Sequence, residues 1–177
     1  PKYDIQPYGA CLKGFERIDF KYIDSVPNFG APITQWVWNF GDGSPDEIFT
    51  SGGSVSHNYT KSGSFTPLVT VTDANGCSNA YFEANGVQIN SSPQADFKFD
   101  YSTNCSFPLD INLTDQSIDA DGNITNYEWS LTVQGNSTVI DQSTSQNAIL
   151  SIPSGGTYDI NLKVTTSGGC TDEIVKT

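Results

Sequence analysis

One histidine, four cysteines and a cluster of carboxylates are the residues of this chain that could carry chemistry. His57 is the sole imidazole, so any Ser–His or Cys–His nucleophilic set would have to use it as the base. Cys11, Cys77, Cys105 and Cys170 include no C-x-x-C pair, the spacing a zinc site favours. Cys11 and Cys77 are separated by 66 residues, and Cys105 and Cys170 by 65. Three pairings are possible for four cysteines; the near-equal spans favour Cys11–Cys77 and Cys105–Cys170, each closing one copy of a repeated unit. Such bridges imply an oxidising, extracytoplasmic compartment. In the acidic stretch, Ser117, Asp119, Asp121, Gly122, Ile124 and Glu128 fall at the spacing of a helical calcium loop. Ser stands where that loop needs its first Asp, however, and Glu128 lies in a strand pattern between Tyr127 and Trp129. A looser calcium site built from Asp115, Asp119 and Asp121 is the metal candidate, weighed against a solvated acidic loop capped by its own backbone bonds. Gly41-Asp42-Gly43 lacks the lysine and following helix of a phosphate loop and reads as a turn.

The elements that must position these residues are strands in two copies. Ile18-Asp19-Phe20 is repeated as Ile111-Asn112-Leu113, Trp36-Val37-Trp38 as Tyr127-Glu128-Trp129, Gly63-Ser64-Phe65 as Gly156-Thr157-Tyr158, and Asn75-Gly76-Cys77 as Gly168-Gly169-Cys170, at offsets of 91 to 93. Apolar residues alternate with polar ones, as in Val69 and Val71 between Thr70 and Thr72, the period of half-buried strands. Gly- and Asn-rich turns punctuate the strands, and no helical stripe occurs. The expected fold is all-β: two immunoglobulin-like sandwiches, residues 1–91 and 92–177, of about seven strands each. By parity Trp36, Trp38 and Phe40 share one strand face, which is core unless it is a sugar-stacking platform.

Composition excludes several partners. The 177 residues carry 8 Lys+Arg against 20 Asp+Glu, a formal net charge of -12. That charge argues against nucleic acid and against an anionic membrane surface. No apolar run approaches the ~20 residues of a membrane span. The chain starts at Pro1 and holds no Met, which reads as a piece excised from a longer protein. Residues 1–92 hold 5 Lys+Arg and 9 Asp+Glu, and residues 93–177 hold 3 and 11, so the excess acid sits in the second copy beside the candidate calcium loop.

Trp36-Val37-Trp38-Asn39-Phe40-Gly41-Asp42-Gly43, followed by His57-Asn58-Tyr59, Gly63-Ser64-Phe65 and Val69-Thr70-Val71, resembles the PKD domain. That family's hallmark is W-D-F-G-D-G, then H-x-Y and G-x-Y-x-V-x-L-x-V; Asn39 departs from it. The second copy is similar in Asp119-Ala120-Asp121-Gly122-Asn123-Ile124 before Tyr127-Glu128-Trp129, and in Gly156-Thr157-Tyr158, but lacks the G-D-G turn and H-x-Y. Roles tied to Trp38, Gly41, Asp42, Gly43, His57, Tyr59 and Trp129 are therefore structural in expectation. The resemblance implies a spacer or interaction module of extracellular proteins, and the Gly-Cys turn is similar to that of repeats in Bacteroidota surface and gliding-motility adhesins. Asp24-Ser25-Val26 is similar to the O-glycosylation acceptor of that phylum, which makes Ser25 a modification candidate.

The functional expectation is a non-enzymatic stalk in a large secreted adhesin, attached to the outer membrane through its parent. Its partners are neighbouring repeats of the same chain. The alternative is an accessory module of a secreted hydrolase, gripping polysaccharide or protein through aromatics such as Tyr81 or Tyr101. No cofactor is expected beyond calcium.

Overall fold

The computed structural model describes residues 2–7, 9–23, 31–101, 106–122 and 124–177. The chain divides into two compact units, Pro1–Asn90 and Ser91–Thr177. In the first, β1 (Lys2–Gln6), β2 (Gly9–Leu12), β3 (Glu16–Ile23), β4 (Ile33–Asn39) and β5 (Glu47–Phe49) precede β6 (Ser54–Tyr59), β7 (Gly63–Phe65), β8 (Leu68–Asp73), β9 (Ser78–Phe82) and β10 (Val87–Ser91). In the second are β11 (Phe97–Tyr101), β12 (Leu109–Asp115), β13 (Ile124–Val133), β14 (Val139–Ser143), β15 (Ala148–Ile152), β16 (Tyr158–Thr166) and β17 (Thr171–Lys176).

Each unit stacks two sheets, as its alternating sequence requires. Unit 1 opposes β1-β3-β6 to β5-β4-β8-β9, and unit 2 opposes β11-β12-β15 to β14-β13-β16-β17. Unit 1 adds a third, small sheet that the strand pattern did not announce, β2-β10-β7. We call upper the end of unit 1 where β8 turns into β9 and Ile33 pairs with Asp73, and lower the end where Asn39 pairs with Leu68 and Glu16 with Tyr59. The register slips between Ile33 and Gln35 in β4 and between Ile124 and Asn126 in β13, so the two copies share a bulge at the start of the same strand.

Inward positions make the cores. Along β4, Trp36, Trp38 and then Phe40 are buried, whereas Val37 faces outward against Ile48 and Thr70. The sugar-platform reading of this face is therefore set aside, and both tryptophans are core. Trp38 lies 5.1 Å from Tyr3, 5.6 Å from Phe20 and 6.2 Å from Phe40, ring centre to ring centre. Such edge and offset contacts favour the aromatic quadrupole beyond simple area burial. Tyr3 brings its hydroxyl into the core without leaving it unpaired: it donates to the Pro67 carbonyl at 2.5 Å and accepts from the Glu83 amide at 3.0 Å. In unit 2, Trp129 meets the edge of Phe97 at 5.2 Å and its indole N–H donates to the Ser145 carbonyl at 2.8 Å.

Trp129→Ala removes the largest ring of the second core. It is expected to destabilise unit 2 by about 3–5 kcal/mol, whereas Trp129→Phe, which keeps a ring but loses the bond to Ser145, should cost markedly less. Denaturant melts of the two variants, read by circular dichroism, check the order.

Candidate functional site

The sequence motifs of unit 1 converge at its lower end. Gly41 has a φ of 80°, and a Cβ there would come within 2.9 Å of the Thr66 amide nitrogen, so only glycine fits this turn. The turn aims Asp42 inward. One carboxylate oxygen accepts from the Ser44 amide at 3.0 Å and the Ser44 hydroxyl at 2.6 Å; the other meets His57 Nε2 at 2.8 Å. His57 stands on β6 and lies flat on Phe40 at 4.0 Å with its ring 7° from parallel, with Tyr59 edge-on at 4.8 Å. Tyr59 is fully buried and donates to the Phe40 carbonyl at 2.9 Å.

This network ties the turn after β4 to β6 across the two sheets. Burial alone would raise the Asp42 carboxyl, but the hydrogen bonds from Ser44 and His57 outweigh it and hold the group at about 2. Burial pushes the Tyr59 phenol up, helped by the nearby Asp42 charge. The imidazole is committed to Asp42 and packed between Phe40 and Tyr59, and no serine or cysteine is hydrogen-bonded to it among the described residues. In unit 2 the same places hold Leu131, Leu150 and Ile152 in lieu of Phe40, His57 and Tyr59, so an apolar contact replaces the polar lock.

The acidic loop follows β12. Asp115 accepts from the Ser117 amide at 2.9 Å and from Gln146 at 3.1 Å, and the Tyr127 phenol is pushed up by burial and by Asp115 beside it. Asp119 accepts from the Ser91 hydroxyl, and Asp121 accepts from the Ser91 amide at 3.1 Å. Paired bonds between Gln94 and Ile118 hold the loop against the start of the unit. Asp115 and Asp119 line one open cavity with Ser117, Tyr127 and Gln146, whereas Asp121 does not. Among the described residues no group of three or more His, Cys, Asp or Glu side chains is placed to hold a metal ion. Glu128 points away on β13 and meets Lys163 at 3.3 Å.

The expected Cys11–Cys77 bridge does not form. Cys77 is a free, exposed thiol, and Cys11 is disulfide-bonded. Cys77 sits in the β8–β9 turn at the upper end, while Cys11 lies in β2 just ahead of β3, at the lower end. The six residues of β8 rise about 3.3 Å each between those ends, and bridged Cα atoms lie within about 7 Å. Cys170, in the matching β16–β17 turn, is buried and disulfide-bonded. Cys105 and the candidate Ser25 lie outside the described residues. Sequence reasoning missed the organiser of these turns: buried Asp73 accepts from the amides of Asn75 and Cys77, both at 2.9 Å, and Thr166 Oγ1 takes the amide of Cys170 at 3.2 Å. A short polar residue closing an alternating strand just before Asn-Gly was the available signal.

Two family models meet this geometry, both described as PKD domain, one over residues 10–88 and one over residues 108–175. The chain carries two PKD domains in tandem. PKD and related immunoglobulin-like modules are generally non-catalytic. Among curated proteins, the pre-pro-metalloprotease PrtV from two strains of Vibrio cholerae serotype O1 is 29% identical over 143 residues, 80% of this chain and 14% of the relative. The chain thus spans about a seventh of that protein's length. Among solved structures, the fibronectin(III)-like modules of Clostridium thermocellum CbhA align with a TM-score of 0.43 at 11% identity, over 98% of this chain and 92% of theirs. A run of titin domains aligns at 0.47 and 14%, over 93% and 57%.

In the first PKD domain, the folded-state depression of Asp42 from 3.8 to about 2 stabilises the fold above the ordinary carboxyl pKa, and that stability is lost as pH falls from about 4 through 2. Asp42→Asn should therefore lower stability at neutral pH and flatten the acid limb between pH 4 and 2, as acid melts of the variant and parent will report. In the second domain, Asp119 and Asp121 are each tied to Ser91, and among the described residues they do not gather with Asp115 into one cluster. We expect millimolar calcium to leave the melting temperature unchanged; a rise of several degrees, abolished by Asp119→Asn, would put an ion at the loop.

Proposed function

We propose that this tandem is a spacer segment of a large secreted cell-surface protein, an adhesin, where domains in series hold a distal binding region away from the cell. The observation that carries it is how the chain passes through unit 1. Lys2 of β1 pairs with Ile23 at the upper end, and β10 pairs with β7 at the lower end, so the polypeptide enters at one end and leaves at the other. A pull on the two ends loads the ladders of β1 with β3 and of β10 with β7 along the strands, so several hydrogen bonds resist together. The acidic composition keeps such modules soluble at high local density. Cys11 and Cys170 in disulfides support an oxidising, extracellular location.

A second reading, an accessory module beside the catalytic domain of a secreted hydrolase, draws on the similarity to the Vibrio cholerae pre-pro-metalloprotease. Of the aromatics proposed to grip a ligand in that case, Tyr81 is taken: its ring meets Tyr3 at 5.3 Å and its hydroxyl bonds Glu83 at 2.9 Å. Tyr101 is exposed and stacked beside Phe99.

Single-molecule stretching under reducing conditions tests the spacer role. Two unfolding events are expected, each releasing about 30 nm of chain for a domain of this length at roughly 3.5 Å per residue. Extension with no resisted step would refute mechanical service, and a catalytic domain encoded beside the tandem would favour the second reading.

A further inference from the structure

The two copies treat the same sheet edge differently. In unit 1, β9 ends the sheet β5-β4-β8-β9, and only β8 pairs with it. The Asp73 amide donates to the Cys77 carbonyl at 3.0 Å, which makes that pair a bonded one. Bonded and unbonded pairs alternate along an antiparallel ladder. Asn79 and Tyr81 therefore bond to β8, and the backbone groups of Ser78, Ala80 and Phe82 point off the sheet. No residue of β9 is charged, and Phe82 is 58% exposed. The Gly-Cys turns are offset by 93 residues, which makes Glu173 of β17 the counterpart of Ala80. Charged side chains blunt an edge against further pairing. Unit 2 thus carries a carboxylate at the middle of its edge, where unit 1 carries a methyl group.

We propose that β9 pairs antiparallel with β9 of a second copy of this chain, about a twofold axis at Ala80. Three observations point to a second copy and not to a foreign strand. The edge is self-complementary: with Ala80 opposite its twin, Ser78 falls opposite Phe82, so residues that offer free backbone groups meet residues that offer the same. The seam is neutral, in a chain whose net charge of -12 otherwise keeps copies apart. The outward row that ends at Ala80 runs through Thr70 and Val37 to Ile48, and Leu68 precedes Phe82 in the next, so pairing joins two uncharged faces into one. A seam of 5 residues on each side buries little area, which makes the pair weak and reversible. One consequence rests on the spacer reading. The strands of unit 1 lie along the line of pull, and antiparallel pairing sets the upper end of one copy beside the lower end of the other. That arrangement suits stalks arriving from opposing surfaces.

Sedimentation velocity of residues 1–177, from about 10 μM to about 1 mM, tests the pairing. A reversible monomer–dimer equilibrium is expected. Ala80→Glu, which copies the edge of the second domain, should weaken dimerisation at least about tenfold and leave the melting temperature unchanged. Ala80→Gln, equal in size but neutral, should keep the dimer. Ala80→Glu mixed with Ala80→Lys should restore it, because position 80 faces its twin only across this seam. A parent that stays monomeric at the top of the range overturns the proposal. So does a dimer indifferent to Ala80→Glu, or a mixture of the two charged variants that remains monomeric. The spacer reading is scored apart from this, since its two resisted steps under force belong to a single chain.

Discussion

Each domain depends on burying one tryptophan of its central strand between two sheets. Trp38 and Trp129 sit on strands that pair on both sides, β4 with β5 and β8, β13 with β14 and β16. A ring that size leaves no room for a second register: a slip of one residue would turn it to solvent and bring Val37 or Glu128 into the core. The rest follows from that constraint. The opposing sheet must offer aromatic edges and β-branched side chains at matching height, which Tyr3, Phe20, Phe97 and Ile111 do. The bulge at the start of β4 and β13 then aims the strand so that the ring meets them.

Beside that shared centre, the copies solve one packing problem with different chemistry. Unit 1 fixes the turn after β4 with a carboxylate, an imidazole and a phenol, each satisfied by a named partner. Unit 2 runs β13 on for three more residues and fills the space with leucine and isoleucine. A polar network specifies one geometry because a misplaced member leaves a buried group unpaired. An apolar cluster tolerates more variation, in keeping with the looser motif match of the second copy.

Strand positions and the inward set were legible because period-two patterning reports directly which face is buried; Val69, Val71, Leu162 and Val164 all lie where parity put them. Disulfide pairing was not. A spacing of 66 residues counts chain length, but Cys77 and Cys11 stand at opposite ends of a strand's length, and sequence separation does not encode that. The stacking of His57 on Phe40 was equally hidden, since it joins residues 17 positions apart on different sheets, although the motif marked both. The exposed pair Phe99 and Tyr101 is half-legible: the sequence offers Tyr101 as an aromatic that could grip a ligand, but its inward parity emerges only with the strand in place.

The Asp73 turn bears on how such modules diversify. The carboxylate gathers backbone amides and touches no side chain of residues 74–77, all of which are exposed. Side-chain identity at residues 74, 75 and 77 is thus uncoupled from the geometry of the hairpin, whereas Gly76 is fixed by its φ of 83°. The tip of the β8–β9 hairpin is a permissive position at its three non-glycine residues, open to substitution while the scaffold below stays unchanged.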